Sequence, residues 1–306
     1  MSGAAAAGTS ATSSGTLPAV ARLGAVVRLT KPRIVALLLF TTATTMVVAA
    51  DGWPGMWLMV VTLVGGAGAA GGANALNCWV ERERDAEMAR TAQRPLPSGE
   101  LTGPQAAWTG FGLVVFGTGV LALGANLLAA SLAVGSAVYY VAVYTIWLKP
   151  RSTQAVVVGG VAGAAPVLTA WAAVAGSLAD PVPWLLFGIL FAWQPPHFWA
   201  LAIRYRHEYA RAGLPMLPSV HGVATTARHS LAHAYVFAAI TLGYAPVAGA
   251  SWLYASLAMP VVVMWLVPAH RLHATGATEQ ADRLFRVSLL VLPVVLVAAA
   301  SSAVLG

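Results

Sequence analysis

From Ile34 to Leu305 the chain passes through one apolar run of about 20 residues after another, each closed by a short polar break. At about 1.5 Å of rise per residue, such a run as a helix crosses the roughly 30 Å hydrocarbon core of a bilayer. Only 9% of the residues are charged, against about a quarter in an ordinary soluble domain, so a soluble surface of this size is excluded. Strand alternation is absent, and the runs exceed the roughly 9–11 residues of a barrel strand. Helices remain as the way to satisfy the backbone in lipid. The sequence therefore predicts an all-α polytopic membrane protein with about nine spans, at roughly 34–50, 56–79, 105–123, 126–147, 154–178, 183–202, 230–249, 252–269 and 286–305.

The charges test this assignment independently. All 17 Lys and Arg residues fall before the first span or after the second, fourth, sixth and eighth. The breaks on the other side carry only Asp51 and Asp180 as charges. By the positive-inside rule the N-terminus is cytoplasmic and the C-terminus outside. Topology thus accounts for the net charge of +7, and no nucleic-acid partner is inferred.

Residues 1–21 are mainly Ala, Gly, Ser and Thr. Residues 1–28 are read as a disordered tail before a transmembrane domain over 29–306, without the apolar region of a secretory signal or the Arg-rich character of a transit peptide. Cys78 is the only cysteine, so no internal disulfide forms.

Two cytoplasmic breaks are long, about 80–104 and 203–229. Four spans separate them, which suggests two parallel four-helix halves with a ninth helix appended. The second span runs on into "VERERDAEMARTAQRPLPSGE", placing Asn77, Glu81 and Asp85 at i, i+4 and i+8 on one helical face. Three hard oxygen donors aimed at one volume suit Mg²⁺, which takes one or two carboxylates with water and substrate phosphate. The same mixed-charge run also reads as a solvated interfacial helix end. Arg90, Arg94, Lys149 and Arg151 stand near the acids in sequence or topology; together they suit a diphosphate, and singly they read as topology determinants. "PLPSG" predicts a turn.

After the sixth span, Arg204, Glu208 and Arg211 fall at i, i+4 and i+7, either a salt-bridged juxtamembrane face or a second acidic site. Inside that span His197 follows Pro195 and Pro196, which must disturb helical hydrogen bonding. A histidine at membrane depth is either a functional group or a hydrogen-bonded structural one. The other six histidines receive no role.

The segments "LTKPRI", "NxxxERERDAEMARTxxRPLPSG", "YTxxLKxRS", "VVVGGVAGAAP" and "WQPPHFWALAI…EYxxAGLPMLP" resemble the protoheme IX farnesyltransferases, the heme O synthase branch of the UbiA-type prenyltransferases, from about Leu29 to the C-terminus. The resemblance implies nine helices around a central cavity and transfer of farnesyl from farnesyl diphosphate to a vinyl group of protoheme IX, with water supplying a hydroxyl, to give heme O. It puts Asn77, Glu81 and Asp85 in the first Mg²⁺–diphosphate motif and Glu208 in the second, with Arg90, Arg94, Lys149, Arg151 and Arg204 as diphosphate contacts and His197 as the family's histidine in the sixth span. The family usually has Asp where this chain has Glu81 and Glu208, and Ala212 stands where the wider superfamily has another acid. Tyr140, Tyr144, Trp193, Phe198 and Trp199 are candidates for a wall around an allylic cation. The implied location is a bacterial plasma membrane with the active face cytoplasmic, and heme A synthase is the implied receiver of product. Two other readings stand beside this one: a prenyltransferase acting on an aromatic or quinone precursor, and a non-catalytic heme-binding transporter. Against the transporter, the outer breaks are almost without ionisable groups.

Overall fold

The structure, a computed structural model, describes residues 18–305. Among them nine helices are long and apolar enough to cross a membrane. In chain order the elements are α1 (Ala19–Leu29), α2 (Pro32–Ala49), α3 (Met56–Ala86), α4 (Gly103–Gly124), α5 (Leu127–Val138) continued as a π-helix over Tyr139–Leu148, α6 (Ala155–Ala175), α7 (Val182–Arg204), the short α8 (Arg206–Arg211) and α9 (Leu217–Val220), α10 (Gly222–Ala248), α11 (Trp252–Thr275) and α12 (Thr278–Leu305). The described residues contain no strand. Large apolar side chains such as Leu123, 93% exposed, point outward, as a lipid-facing surface requires.

The expected spans are present, several of them extended. α3 continues unbroken to Ala86, so the acids ride on the membrane helix itself. α10 begins at Gly222, eight residues before the expected start, and α12 at Thr278. The reading of residues 1–28 as a tail is corrected over 19–28, where α1 forms; residues 1–17 lie outside the described part. Ala25 and Leu29 are buried against Ala75, Cys78, Leu101 and Ala106, and Arg28 pairs with Glu100. That apolar contact supplies the ordering which composition alone did not suggest.

α3 and α4 lie almost backbone to backbone. A Cβ at Gly117 would sit 2.4 Å from the Gly65 carbonyl oxygen and 2.4 Å from the Ala69 nitrogen. In lipid, where apolar burial drives helix association only weakly, such small-residue contacts supply the packing. The later helices pack differently: Trp193, Phe237, Tyr244, Tyr254 and Trp265 belong to one buried cluster spread over α6, α7, α10, α11 and α12. The two helix groups enclose a cavity of about 780 Å³.

Candidate active site

Asn77, Glu81 and Asp85 occupy successive turns of α3 and are 1%, 4% and 2% exposed. A carboxylate is expensive to bury without a partner, and each of the three side chains has a cationic one. Lys31 Nζ donates to Asn77 Oδ1 at 2.6 Å. Lys149 pairs with Glu81, and Arg94 Nη1 donates to Asp85 Oδ2 at 2.6 Å. The reading of this run as a solvated helix end therefore fails for Glu81 and Asp85, while Glu83 and Glu87 are exposed.

Local structure delivers each cation. Lys31 takes the left-handed conformation (φ 54°), unusual for a residue with a side chain; from this turn ahead of Pro32 at the start of α2, Nζ reaches back to α3. Burial draws the Lys31 ammonium below its ordinary pKa. At Lys149 burial acts the same way, but Tyr144 and Glu81 outweigh it and hold the ammonium above its ordinary value. Arg94 leads into the "PLPSG" turn, which closes as expected with Ser98 N–H on the Arg94 carbonyl at 3.0 Å and Leu101 N–H on the Pro95 carbonyl at 2.9 Å.

The π-helix sets the other wall. Its wider turn lets Thr145 Oγ1 donate to the Tyr140 carbonyl five residues back, at 2.8 Å, while Asn77 Nδ2 donates to Thr145 Oγ1 at 3.0 Å. Tyr140 and Tyr144 stack with ring centroids 5.5 Å apart, and Lys149 Nζ lies 5.9 Å from the centre of the Tyr144 ring. Tyr144 lies against Gly159, where a Cβ would be 2.2 Å from the ring. Tyr140 and Tyr144 line the cavity, so the ionic cluster adjoins it through these rings. π-helical turns are rare and concentrate at functional sites.

Other predicted residues are placed less uniformly. His197, Trp193 and Phe198 line the cavity, but Trp199 is a correction to the expected aromatic wall: it is fully buried elsewhere, with the rings of His229 and His233 edge-on to it at 6.0 and 5.5 Å. Those two histidines, to which the sequence assigns no role, stand four residues apart on α10. α7 continues unbroken through Pro195 and Pro196, whose missing N–H groups leave the Phe191 and Ala192 carbonyls without their helical donors. The single face expected over Arg204, Glu208 and Arg211 is broken at Tyr205, between α7 and α8. Arg204 turns instead to Asp282 at 3.6 Å and lies over the Tyr205 ring. Arg151 donates to the Ile146 and Trp147 carbonyls, capping the π-helix.

Glu208 sits half-buried on α8. The adjacent Tyr209 packs with Met88 of the first long loop in a cluster that joins the two loops. Arg90 crosses the same boundary, with Nη2 3.5 Å from Tyr209 Oη and its guanidinium over the Tyr205 ring. Ala212 is buried in that apolar cluster, which explains why no second acid is accommodated there. No group of three His, Cys, Asp or Glu side chains among the described residues closes into a metal-binding set. The donor chemistry nonetheless fits Mg²⁺ on a diphosphate: buried carboxylates and an amide on one face, with substrate oxygens completing the shell.

A model described as the UbiA prenyltransferase family matches residues 38–292. The chain is 44% identical over 287 residues to a protoheme IX farnesyltransferase 1 from Saccharopolyspora erythraea, covering 93% of this chain and 91% of that protein. It is 44% identical over 273 residues to a protoheme IX farnesyltransferase from Gloeobacter violaceus, covering 89% of each. Among solved structures, a digeranylgeranylglyceryl phosphate synthase superposes with a TM-score of 0.78 at 14% identity, over 92% of this chain and 99% of that one. A UbiA homolog from Archaeoglobus fulgidus bound to DMAPP and Mg²⁺ superposes with a TM-score of 0.64 at 16% identity, over 90% and 98%. These two establish likeness of fold. With buried acids on α3, their cationic partners and the helix-enclosed cavity, the chain belongs to the UbiA prenyltransferase family.

Proposed function

We propose that this protein transfers the farnesyl group of farnesyl diphosphate to a vinyl group of protoheme IX, at the cytoplasmic face of a bacterial plasma membrane. The observation that carries the reading is the row of buried acids on α3, each matched to a cation, set against a cavity with aromatic walls. The names of the relatives supply the acceptor.

Asn77, Glu81 and Asp85, with Glu208 of α8, would hold Mg²⁺. When bound, Mg²⁺ neutralises charge that grows on the departing diphosphate. Lys31, Arg94 and Lys149 contact these α3 side chains, and Arg90 lies on Tyr205 and Tyr209 where the two long loops meet, so the leaving group would draw the cations from their present partners. Cations already gathered where the charge develops stabilise it there, each exchanging its present partner for a diphosphate oxygen. Arg151 and Arg204 would first have to leave a helix cap and an ion pair.

The C1–O bond of the farnesyl diphosphate breaks, its electron pair leaving with diphosphate. The terminal vinyl carbon bonds to C1, water adds at the neighbouring carbon, and a proton is released. Tyr140, Tyr144 and Phe198 line the cavity, where aromatic rings would stabilise the positive charge and keep bulk water from it. The product is heme O, and an enzyme that oxidises it further, such as heme A synthase, is the fitting receiver.

The test is mass spectrometry of heme recovered after incubating the membrane-embedded protein with protoheme and farnesyl diphosphate, with and without Mg²⁺. A Mg²⁺-dependent hydroxyethylfarnesyl heme is expected. Unmodified heme, where an established heme O synthase works, would move the assignment to an aromatic or quinone acceptor.

A further inference from the structure

The cavity wall formed by α7 and α12 contains a hydrogen-bonded device that the proposed chemistry does not use. His197 is sandwiched between Trp193, with centroids 4.3 Å apart and planes at 18°, and Phe285, at 4.9 Å and 27°. Both α7 residues tie to one fully buried residue of α12, Ser288. Trp193 Nε1 donates to the Ser288 carbonyl at 3.0 Å, and His197 Nδ1 lies 2.5 Å from Ser288 Oγ.

The serine has a second contact, and it decides the direction of the first. Ser288 Oγ lies 2.5 Å from the Phe285 carbonyl oxygen. A carbonyl only accepts and a hydroxyl carries one proton, so the serine donates to Phe285 and accepts from His197 Nδ1–H. In a neutral imidazole the other nitrogen, Nε2, then carries the lone pair. Nε2 has no hydrogen-bond partner among the described residues, and His197 lines the cavity.

We propose that Ser288 is a positioning residue, which holds His197 as the Nδ1–H tautomer between two rings and turns the Nε2 lone pair into the cavity. Resting on the protoheme reading, that lone pair is an axial ligand for the iron of the incoming substrate. A hydrogen bond to the far nitrogen is how proteins fix the tautomer and ring orientation of metal-bound histidines. α12 thereby orients a residue of α7.

Nitrogen NMR of ¹⁵N-histidine-labelled protein in lipid nanodiscs reads the tautomer without any ligand, with His197→Ala identifying the signals. A protonated Nδ1 and bare Nε2 are expected in the wild type and in Ser288→Thr, and a tautomer mixture in Ser288→Ala. A protonated Nε2 in the wild type, or identical signals in Ser288→Ala, overturns the proposal. In a parallel ferric protoheme titration followed by EPR, the nitrogen-ligated signal is expected to vanish in His197→Ala. Affinity is expected to fall about tenfold or more in Ser288→Ala and to return in Ser288→Thr. A wild type that binds no protoheme would defeat the proposed function, while the NMR experiment would still decide the role of Ser288.

Discussion

The helices before residue 150 and those after it are held together by different means. α3 and α4 touch through glycine backbone, as at Gly117, while α7, α10, α11 and α12 interlock through large rings such as Trp193, Phe237 and Trp265. The chemistry divides along the same line. The first group carries the three polar residues of α3 and the Lys31, Arg94 and Lys149 that match them; the second carries His197, held by rings and one serine. A close backbone contact fixes α3 without occupying its other face, which leaves that face for charge. A ring-filled interface fixes an imidazole by stacking. On the proposed function, the leaving group and the acceptor would meet in a cavity whose walls are built by two kinds of packing.

The largest effect is expected from filling the glycine contact. Gly117→Val should abolish accumulation of monodisperse protein in detergent, because its branches would have to displace α3 backbone. Gly112→Val on the same helix, where a Cβ meets nothing within 4 Å, should accumulate normally. Equal behaviour of the two would remove the backbone-contact account.

Next comes the ionic cluster. Lys149→Ala leaves Glu81 buried without its partner, a change that costs about 3–5 kcal/mol when such a pair is broken, and should lower turnover about 100-fold or more. The double variant Glu81→Gln/Lys149→Met should regain thermal stability and stay inactive. Recovery of activity with stability would show that the pair serves folding alone.

Trp193→Phe keeps the stacking but removes the indole donor to the Ser288 carbonyl. A loss of about 1 kcal/mol is expected, read as a modest fall in Tm. Smallest is Arg204→Ala. Its ion pair with Asp282 is exposed and worth about 0.2–1 kcal/mol, so Tm and the KM for farnesyl diphosphate should barely move. A large rise in KM would bring Arg204 back to the diphosphate.

The spans were legible because hydrophobic length and the distribution of Lys and Arg answer to the bilayer. Helix boundaries outside the apolar zone were not. The start of α10, "GVATTARH", is too polar to register as membrane, yet Thr226, Ala227 and Ser230 are buried there by neighbouring helices. The face shared by Asn77, Glu81 and Asp85 followed from spacing along one helix. Lys31 was visible only as a topology charge, since its route to Asn77 depends on a left-handed turn; the Lys-Pro step was the available signal. The π-helix leaves no periodic trace in ten residues, and Ser288 reaches His197 from 91 positions away. Such contacts arise from packing between helices, which spacing along one helix does not encode.

The most direct test of the division between the two groups is Asp85→Ala, assayed together for farnesyl transfer and for protoheme binding by spectral titration. Transfer should be abolished with protoheme affinity unchanged if, as proposed, the acid serves the leaving group and the acceptor is held on α7. Lost protoheme binding, with turnover per bound heme intact, would contradict the account.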